Sequence, residues 1–287
     1  MAGGLQYNFA RLSIAEKLIA INVLVFILDG LSLALLGNSV VKWFQLPQDF
    51  IGFLSQPWSL VTYSFFHAGI GHVFWNMIML YFAGRIFLNL FDTQRFLNVY
   101  FLGVIVGGAV FLLSYNVFPT LLDTQTALVG ASAGVTAVLI FVCAYIPNQE
   151  VRIIFFNVKL WHVGVFFVLV DLIQIPYGGN VGGRLAHLGG AALGYIYARQ
   201  LLKGNDIGAG FTKIINGIAQ LFKPREKKAP MKTVYKKKAA KNKSKAEYDK
   251  EANQRKIDAI LDKISKSGYE SLSKAEKDFL FKAGKED

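Results

Sequence analysis

The sequence predicts an all-α polytopic membrane protein, a bundle of six transmembrane helices with a small cytoplasmic helical tail. Of its 287 residues, 53% are hydrophobic and only 17% are charged, whereas soluble domains are usually nearer one quarter charged. The apolar residues form about six long runs between residues 17 and 203. Each run is long enough, or nearly so, to cross the ~30 Å hydrocarbon core of a bilayer.

The six predicted spans are residues 17–37, 67–90, 96–118, 127–147, 159–176 and 185–203. The first sixteen residues are polar and lack a small-residue cleavage site, so we expect the first run to be a retained anchor and not a removed signal peptide. The single cysteine, Cys143, lies inside a span, which excludes an intrachain disulfide.

Lysine and arginine residues in the connections predict the orientation. They concentrate in the N-terminal segment, in the second and fourth connections and in the tail, whereas the other connections contain only Lys42 and Arg184. By the positive-inside rule both termini are cytoplasmic, and spans two, four and six run from the outside inward. We therefore expect a multi-pass membrane protein. Resemblance to a bacterial family would place it in the bacterial cytoplasmic membrane.

Four segments follow from this pattern: an N-terminal segment (1–16), the six-span domain (17–203), an interfacial helix with a basic linker (204–253) and a helical module (254–287). In the module, Gly268 is expected to end one short helix, and Ser273 with Glu276 forms a capping box that begins another. The first connection, residues 38–66, is rich in aromatic residues. An aromatic interface belt and a partly embedded loop remain equally compatible with it.

The positive charge of the chain is concentrated in residues 223–245. This stretch holds eleven lysines or arginines and one acid, Glu226. A polybasic segment after a last span is typical of a contact with anionic lipid headgroups, so we expect that partner and no nucleic acid.

Several polar side chains interrupt the predicted spans, where each is costly and needs a partner or a task. They are His67, His72 and Asn76 in span two, Ser132 and Thr136 in span four, Asp171 in span five and His187 in span six. Given the predicted orientation, Ser132, His187, His72 and Asn76 all lie within roughly the outer 15 Å of the bilayer at 1.5 Å per residue. The sequence thus brings a possible nucleophile, a base and hydrogen-bond donors to one level.

Glycine spacing predicts close contacts between spans. Gly130 with Gly134, and Gly190 with Gly194, are GxxxG pairs, which permit close helix approach in membranes. His187 shares the face of the second pair, so we expect that face to carry the histidine towards a neighbouring helix.

Other hydrolase classes fit less well. Ser132 matches the G-x-S-x-G elbow of soluble hydrolases, but no strand–turn–helix context surrounds it. The histidines lack the spacing of a metal site, and an intramembrane aspartyl protease would need two membrane aspartates in its motifs, which Asp171 and Asp29 do not provide.

Taken together, these motifs resemble the rhomboid family of intramembrane serine proteases, bacterial type, over about residues 17–203. The pieces that carry the resemblance are HAGIGHVFWN (residues 67–76), GAS (130–132) and AHLGGAALG (186–194). Trp58 is similar to the tryptophan of a Trp-Arg pair in the family's first loop, and Asp171 to a fifth-span aspartate.

The resemblance implies a Ser132–His187 dyad that cleaves membrane-anchored proteins through an acyl-enzyme, with His72 and Asn76 stabilising the oxyanion. His67, Gly130, Thr136, Gly190, Gly194 and Trp58 would support the site. No metal or organic cofactor is implied. A catalytically inactive relative that binds membrane proteins is the alternative, and a small transporter or channel is a third possibility.

The chain departs from the family pattern at four positions: Ala133, Thr136, Ser59 and Leu88. Ala133 adds a methyl group next to the nucleophile, and Ser59 replaces the loop arginine. None of the four is a reacting group, so we expect them to affect rate and gating more than reaction type.

Overall fold

The computed structural model describes residues 9–118, 126–153, 155–221 and 245–284. The chain divides into two compact units, Met1–Lys223 and Pro224–Asp287. Apart from Lys245, the basic stretch 223–245 lies outside the described residues.

Six helices of the first unit correspond to the predicted spans, which confirms the helical membrane fold. They are α1 (Ile14–Leu36), α4 (Ile70–Leu90), α5 (Thr93–Val117), α6 (Ser132–Tyr145), α7 (Leu160–Gln174) and α8 (Val181–Leu202). Between α1 and α4 lie α2 (Phe50–Ser55) and α3 (Ser59–Thr62), and α9 (Gly208–Leu221) follows α8.

Four of these helices are long and apolar enough to cross a membrane by themselves: α1, α4, α5, and α7 together with its last turn to Tyr177. The other two differ for physical reasons. The hydropathy of α8 is lowered by its glycines and by Arg184 and Arg199. Helix α6 has only 14 residues. Most of α6 is buried among its neighbours, so it faces protein more than lipid.

Contacts along α6 define the helix directions. Gly190 and Gly194 of α8 lie against the Ala133 and Ala137 carbonyls in the same order, so α6 and α8 are parallel. His72 lies beside Gly130 at one end, and the Phe87 and Phe141 rings are 4.8 Å apart further along. Helices α4, α6 and α8, which correspond to spans two, four and six, therefore run in one direction.

The first connection packs partly into the bundle. Its strand β1 (Leu46–Pro47) pairs antiparallel with β2 (Ala127–Leu128) just before α6. The Tyr63 hydroxyl donates to the Val104 carbonyl (2.8 Å), and the Tyr63 carbonyl accepts from the Gly130 N–H (3.0 Å). Tyr63 therefore ties this connection to α5 and to the turn before α6.

Two features lie beyond the spans. A hairpin of β3 (Glu150–Ile153) and β4 (Phe156–Lys159), which the sequence analysis did not predict, leads from α6 to α7. Helix α9 is held to α5 and α8 through Asp206, which accepts from Arg95 Nε (3.0 Å) and from the Tyr197 hydroxyl (2.5 Å).

The second unit contains α10 (Lys245–Ser267) and α11 (Lys274–Ala283). Gly268 (φ 76°) follows α10, and Ser273 and Glu276 form the predicted capping box at the start of α11. Glu276 also accepts from Lys263 Nζ at 3.0 Å, which joins the two helices.

Candidate functional site

Helix α6 begins at Ser132 and not at residue 127 as predicted. The apolar residues before it form β2 and a turn at Gly130, whose φ is 120°. Extended backbone is tolerated at membrane depth where protein buries it, and hydropathy alone does not distinguish such a segment from a helix. As the first helical residue, Ser132 has an N–H without an intrahelical acceptor, at the positive end of the helix dipole.

Gly130 brings span two against the start of α6. A Cβ atom at this position would lie 2.6 Å from His72 Cε1 and 2.7 Å from His72 Nε2, and 3.5 Å from Ser132 Oγ. Glycine is therefore required both for the positive φ and for the approach of the imidazole. The His72 ring and the Ser132 hydroxyl thus lie on either side of one glycine.

His72 and Asn76 each have one local hydrogen bond and one donor left over. His72 Nδ1 accepts from the Ala68 N–H (3.4 Å), which favours the neutral tautomer with its proton on Nε2. Asn76 Nδ2 donates to the His72 carbonyl at 2.9 Å, and its second hydrogen is unused by this bond. Both residues line the same cavity as Ser132.

His187 reaches this cavity from α8. Gly190, one turn further along α8, contacts the Ala133 carbonyl of α6, and Gly194 contacts that of Ala137. A side chain on either glycine would overlap the α6 backbone, so the predicted glycine face is the contact between α6 and α8. It sets His187 opposite the first turn of α6.

The cavity has a volume of about 820 Å³ and opens between α4, α6, α7 and α8. Its polar lining consists of His72, Asn76, Ser132, Thr136, Asp171, Gln174, Asn180, Arg184 and His187, beside the indole of Trp75. In the described part of the chain, no hydrogen bond of 3.5 Å or less joins Ser132 Oγ to His187. Hydrogen bonds of this kind often tighten only when substrate binds.

Asp171 is a site residue whose partner the sequence did not identify. Its Oδ1 and Oδ2 lie 3.1 and 3.2 Å from His187 Nδ1, and Arg184 Nη1 lies 3.7 Å from Oδ1. An aspartate in an apolar span was a visible signal. Its partner depended on the relative rotation of α7 and α8, which no spacing encodes.

Other predicted residues lie behind or away from the cavity. His67 precedes α4 instead of lying within it, is buried, accepts from the Ala131 N–H (3.5 Å) and packs edge-on against the His72 ring. Trp58 is 50% exposed and donates from Nε1 to the Trp43 carbonyl at 2.8 Å. Trp58 therefore braces the first connection and does not line the cavity.

The departures from the family pattern are accommodated by packing. The Ala133 methyl group lies against Gly107 of α5, and the Ala137 methyl group against Gly103. Ser59 is fully buried, and Leu88 packs against the core. Thr136 lines the cavity one turn after Ser132.

Comparison with known proteins identifies the family. The rhomboid domain model matches residues 54–204, and a family of unknown function (DUF6576) matches residues 244–283. Similar proteins include RHOMBOID-like protein 12, mitochondrial, of Arabidopsis thaliana (32% identical over 51% of this chain and 47% of that protein). Presenilin-associated rhomboid-like protein A, mitochondrial, of Danio rerio is 30% identical over 48% of this chain and 36% of that protein.

Rhomboid-related protein 1 of Caenorhabditis elegans is 31% identical over 51% of this chain and 40% of that protein. The chain thus spans less than half the length of each of these relatives. All three are eukaryotic, so they lend no support to the expected bacterial type, which stays a prediction. The domain match covers about half of the chain and includes every residue of the cavity: the protein is a multi-pass membrane protein of the rhomboid family.

Proposed function

We propose that this protein is a serine endopeptidase that cleaves membrane-anchored proteins within the bilayer. The observation that carries the proposal is the joint placement of Ser132, His187, His72 and Asn76 around one cavity between four helices. Each residue alone has an ordinary structural explanation. Together they supply a nucleophile, a base and oxyanion donors.

In the proposed reaction, His187 Nε2 takes the Ser132 hydroxyl proton while Oγ bonds to the scissile carbonyl carbon. His187 then gives that proton to the leaving amide nitrogen, and the C–N bond breaks to leave an acyl ester on Ser132. A water molecule, its proton taken by His187, attacks the ester. The C–O bond to Ser132 then breaks, and Oγ recovers the proton.

Negative charge develops on the carbonyl oxygen during both additions. Three donors from residues of this cavity would receive it: the His72 Nε2–H, the second Asn76 amide hydrogen and the Ser132 backbone N–H. Donors fixed in place before the reaction stabilise such an oxyanion strongly in a site that excludes bulk water.

The remaining details are proposals from sequence. The lysine and arginine pattern supports cytoplasmic termini and a cavity near the outer face, hence substrates whose helices unwind there. The stretch 223–245 carries a high net positive charge, so it would contact anionic lipid headgroups on the cytoplasmic side.

The test is cleavage of a transmembrane reporter protein by the purified protein in liposomes. We expect Ser132→Ala and His187→Ala to abolish cleavage. Ser114→Ala is the matched control, since among the described residues the Ser114 hydroxyl bonds only back to the Val110 carbonyl within α5, and this variant should cleave normally. Undiminished cleavage by either site variant would contradict the mechanism.

A second candidate is a non-catalytic rhomboid protein that binds membrane segments. It is favoured by the absence, among the described residues, of a hydrogen bond between Ser132 and His187. Binding of the reporter without cleavage by the wild-type protein would support this candidate over the protease.

A further inference from the structure

The carboxylate of Asp171 lies against the Nδ1 atom of His187. Asp171 lies on α7, and its side chain is only 13% exposed. Both of its oxygens lie within 3.2 Å of His187 Nδ1. An aspartate in a membrane span is costly, so its partner indicates its task.

Two partners compete for this carboxylate, and the distances rank them. Arg184 precedes His187 by one turn of α8, but its Nη1 is 3.7 Å from Asp171 Oδ1, beyond hydrogen-bond range. Arg184 Nε is buried without a hydrogen-bond partner among the described residues. A purely structural Arg–Asp pair would favour bidentate contact through two guanidinium nitrogens.

Arg184 therefore acts as a neighbouring cation that offsets part of the buried charge. Its guanidinium leaves both Asp171 oxygens to His187. The Asp171 carboxylate is therefore within hydrogen-bonding distance of His187 and not of Arg184.

We propose that Asp171 is the positioning residue of His187, so that the site works as a Ser132–His187–Asp171 triad instead of a dyad. A carboxylate accepts only, so Nδ1 carries the proton and donates it to Asp171. Nε2 then holds the lone pair that the proposed reaction requires. This inference rests on the proposed protease function.

During the reaction Asp171 takes no proton. His187 becomes an imidazolium when it accepts the Ser132 proton on Nε2. The adjacent carboxylate stabilises this cation and fixes the ring orientation, which is the part that an aspartate plays in serine protease triads.

The decisive variant is Asp171→Asn, which keeps the shape and removes the charge. The Asn amide can donate to Nδ1 and so favours the wrong tautomer. We expect kcat to fall by about 10²- to 10⁴-fold, as removal of a triad carboxylate does, with KM nearly unchanged. Asp171→Glu should recover part of the loss, because it restores a carboxylate.

Asp29→Asn is the matched control. Asp29 is a second aspartate in a membrane helix, where it accepts from the Ser39 hydroxyl (2.7 Å) and the Val40 N–H (2.9 Å) away from the cavity. Its loss should leave kcat unchanged. If Asp171 only tied α7 to α8, Asp171→Asn would lower thermal stability without a selective loss of kcat, and the inference would be wrong.

A second measurement does not depend on cleavage. In ¹⁵N-histidine-labelled protein in alkaline buffer, we expect His187 to carry its proton on Nδ1, and this preference to disappear in Asp171→Asn. His187→Gln identifies the signal. A proton on Nε2 in the wild-type protein would overturn the inference even if cleavage is normal.

The two measurements separate the possible failures. Cleavage that needs Ser132 and His187 but tolerates Asp171→Asn removes only the role of Asp171. If the wild-type protein cleaves no reporter, the proposed protease function is wrong, and so is the triad. The tautomer of His187 then shows only whether Asp171 orients the histidine ring.

Discussion

A Cβ atom on Gly190 would overlap the carbonyl oxygen of Ala133, the residue after the candidate nucleophile, so the two helix backbones are in close contact here. This contact sets the distance between α6 and α8, and therefore between Ser132 and His187. We expect Gly190→Ala to force the helices apart, with a loss of stability of about 1–3 kcal/mol from overpacking.

The same change should reduce cleavage about 100-fold or more, the effect of a displacement near 1 Å at a reacting group. Gly217→Ala on α9 is the control, since open space surrounds Gly217. Thermal unfolding and reporter cleavage check both effects. Normal activity in Gly190→Ala would show that the α6–α8 contact does not set the site geometry.

Asn76 is expected to act on the transition state and not on substrate binding. Asn76→Ala removes one oxyanion donor, so kcat should fall by about 10²- to 10³-fold with little change in KM. Asn116→Ala is a control away from the cavity: Asn116 makes the same bond to the carbonyl four residues earlier and also donates to the Gln48 carbonyl at 3.0 Å. A loss confined to KM, measured by steady-state kinetics, would assign Asn76 to substrate binding instead.

Alanine substitutions at Gly130 and at Gly37 should distinguish the effect of backbone strain from the effect of displacing His72. Both have positive φ (120° and 68°), but only Gly130 has the His72 ring beside it. Alanine at Gly37 should cost about 1–2 kcal/mol of stability through the left-handed conformation and leave cleavage intact. Alanine at Gly130 should in addition abolish cleavage, because its methyl group displaces the imidazole. Equal activities in the two variants would refute this account.

The hydrogen bonds of Asp206 lead us to expect that the attachment of α9 to α5 and α8 depends on pH. Burial tends to raise the pKa of its carboxyl, but hydrogen bonds from Tyr197 and Arg95 outweigh burial and hold the pKa below its usual 3.8. A lowered folded-state pKa stabilises the protein above the unfolded-state value, and this stabilisation is lost as the pH falls through the folded-state pKa.

The stability difference between wild type and Asp206→Asn should therefore be full at neutral pH and disappear only in acid below pH 3.8. Thermal unfolding over a pH series measures it. Asp258→Asn serves as the control, since Asp258 lies in the second unit and its one hydrogen bond in the described part of the chain is from the exposed Gln254. A difference that is constant through the acid range would rule out the Asp206 carboxylate as its source.

The sequence by itself predicted the helical membrane fold and singled out six of the polar residues that line the cavity: His72, Asn76, Ser132, Thr136, Asp171 and His187. Hydropathy is a property of whole runs, so it located the six spans. Charge in the connections predicted which side of the membrane the termini occupy, and this orientation stays a prediction. The glycine spacing of span six predicted its contact with a neighbour, because only residues at these intervals share a helix face.

Tertiary structure decided how those residues are arranged. The apolar run before Ser132 looked like helix, yet pairing with Leu46 and Pro47 keeps it extended, so Ser132 begins α6 instead of lying within it. The sequence shows that Ala133 adds a methyl group next to the nucleophile, and only the packing shows that this group lies against Gly107 of α5.

The partner of Asp171 was also decided in three dimensions, because contacts between helices depend on rotation and tilt that a single sequence does not specify. From the sequence of a span we can infer that a charged residue in an apolar run needs a partner, but not which partner. Only the packing of α7 against α8 selects His187 Nδ1 over Arg184 as that partner.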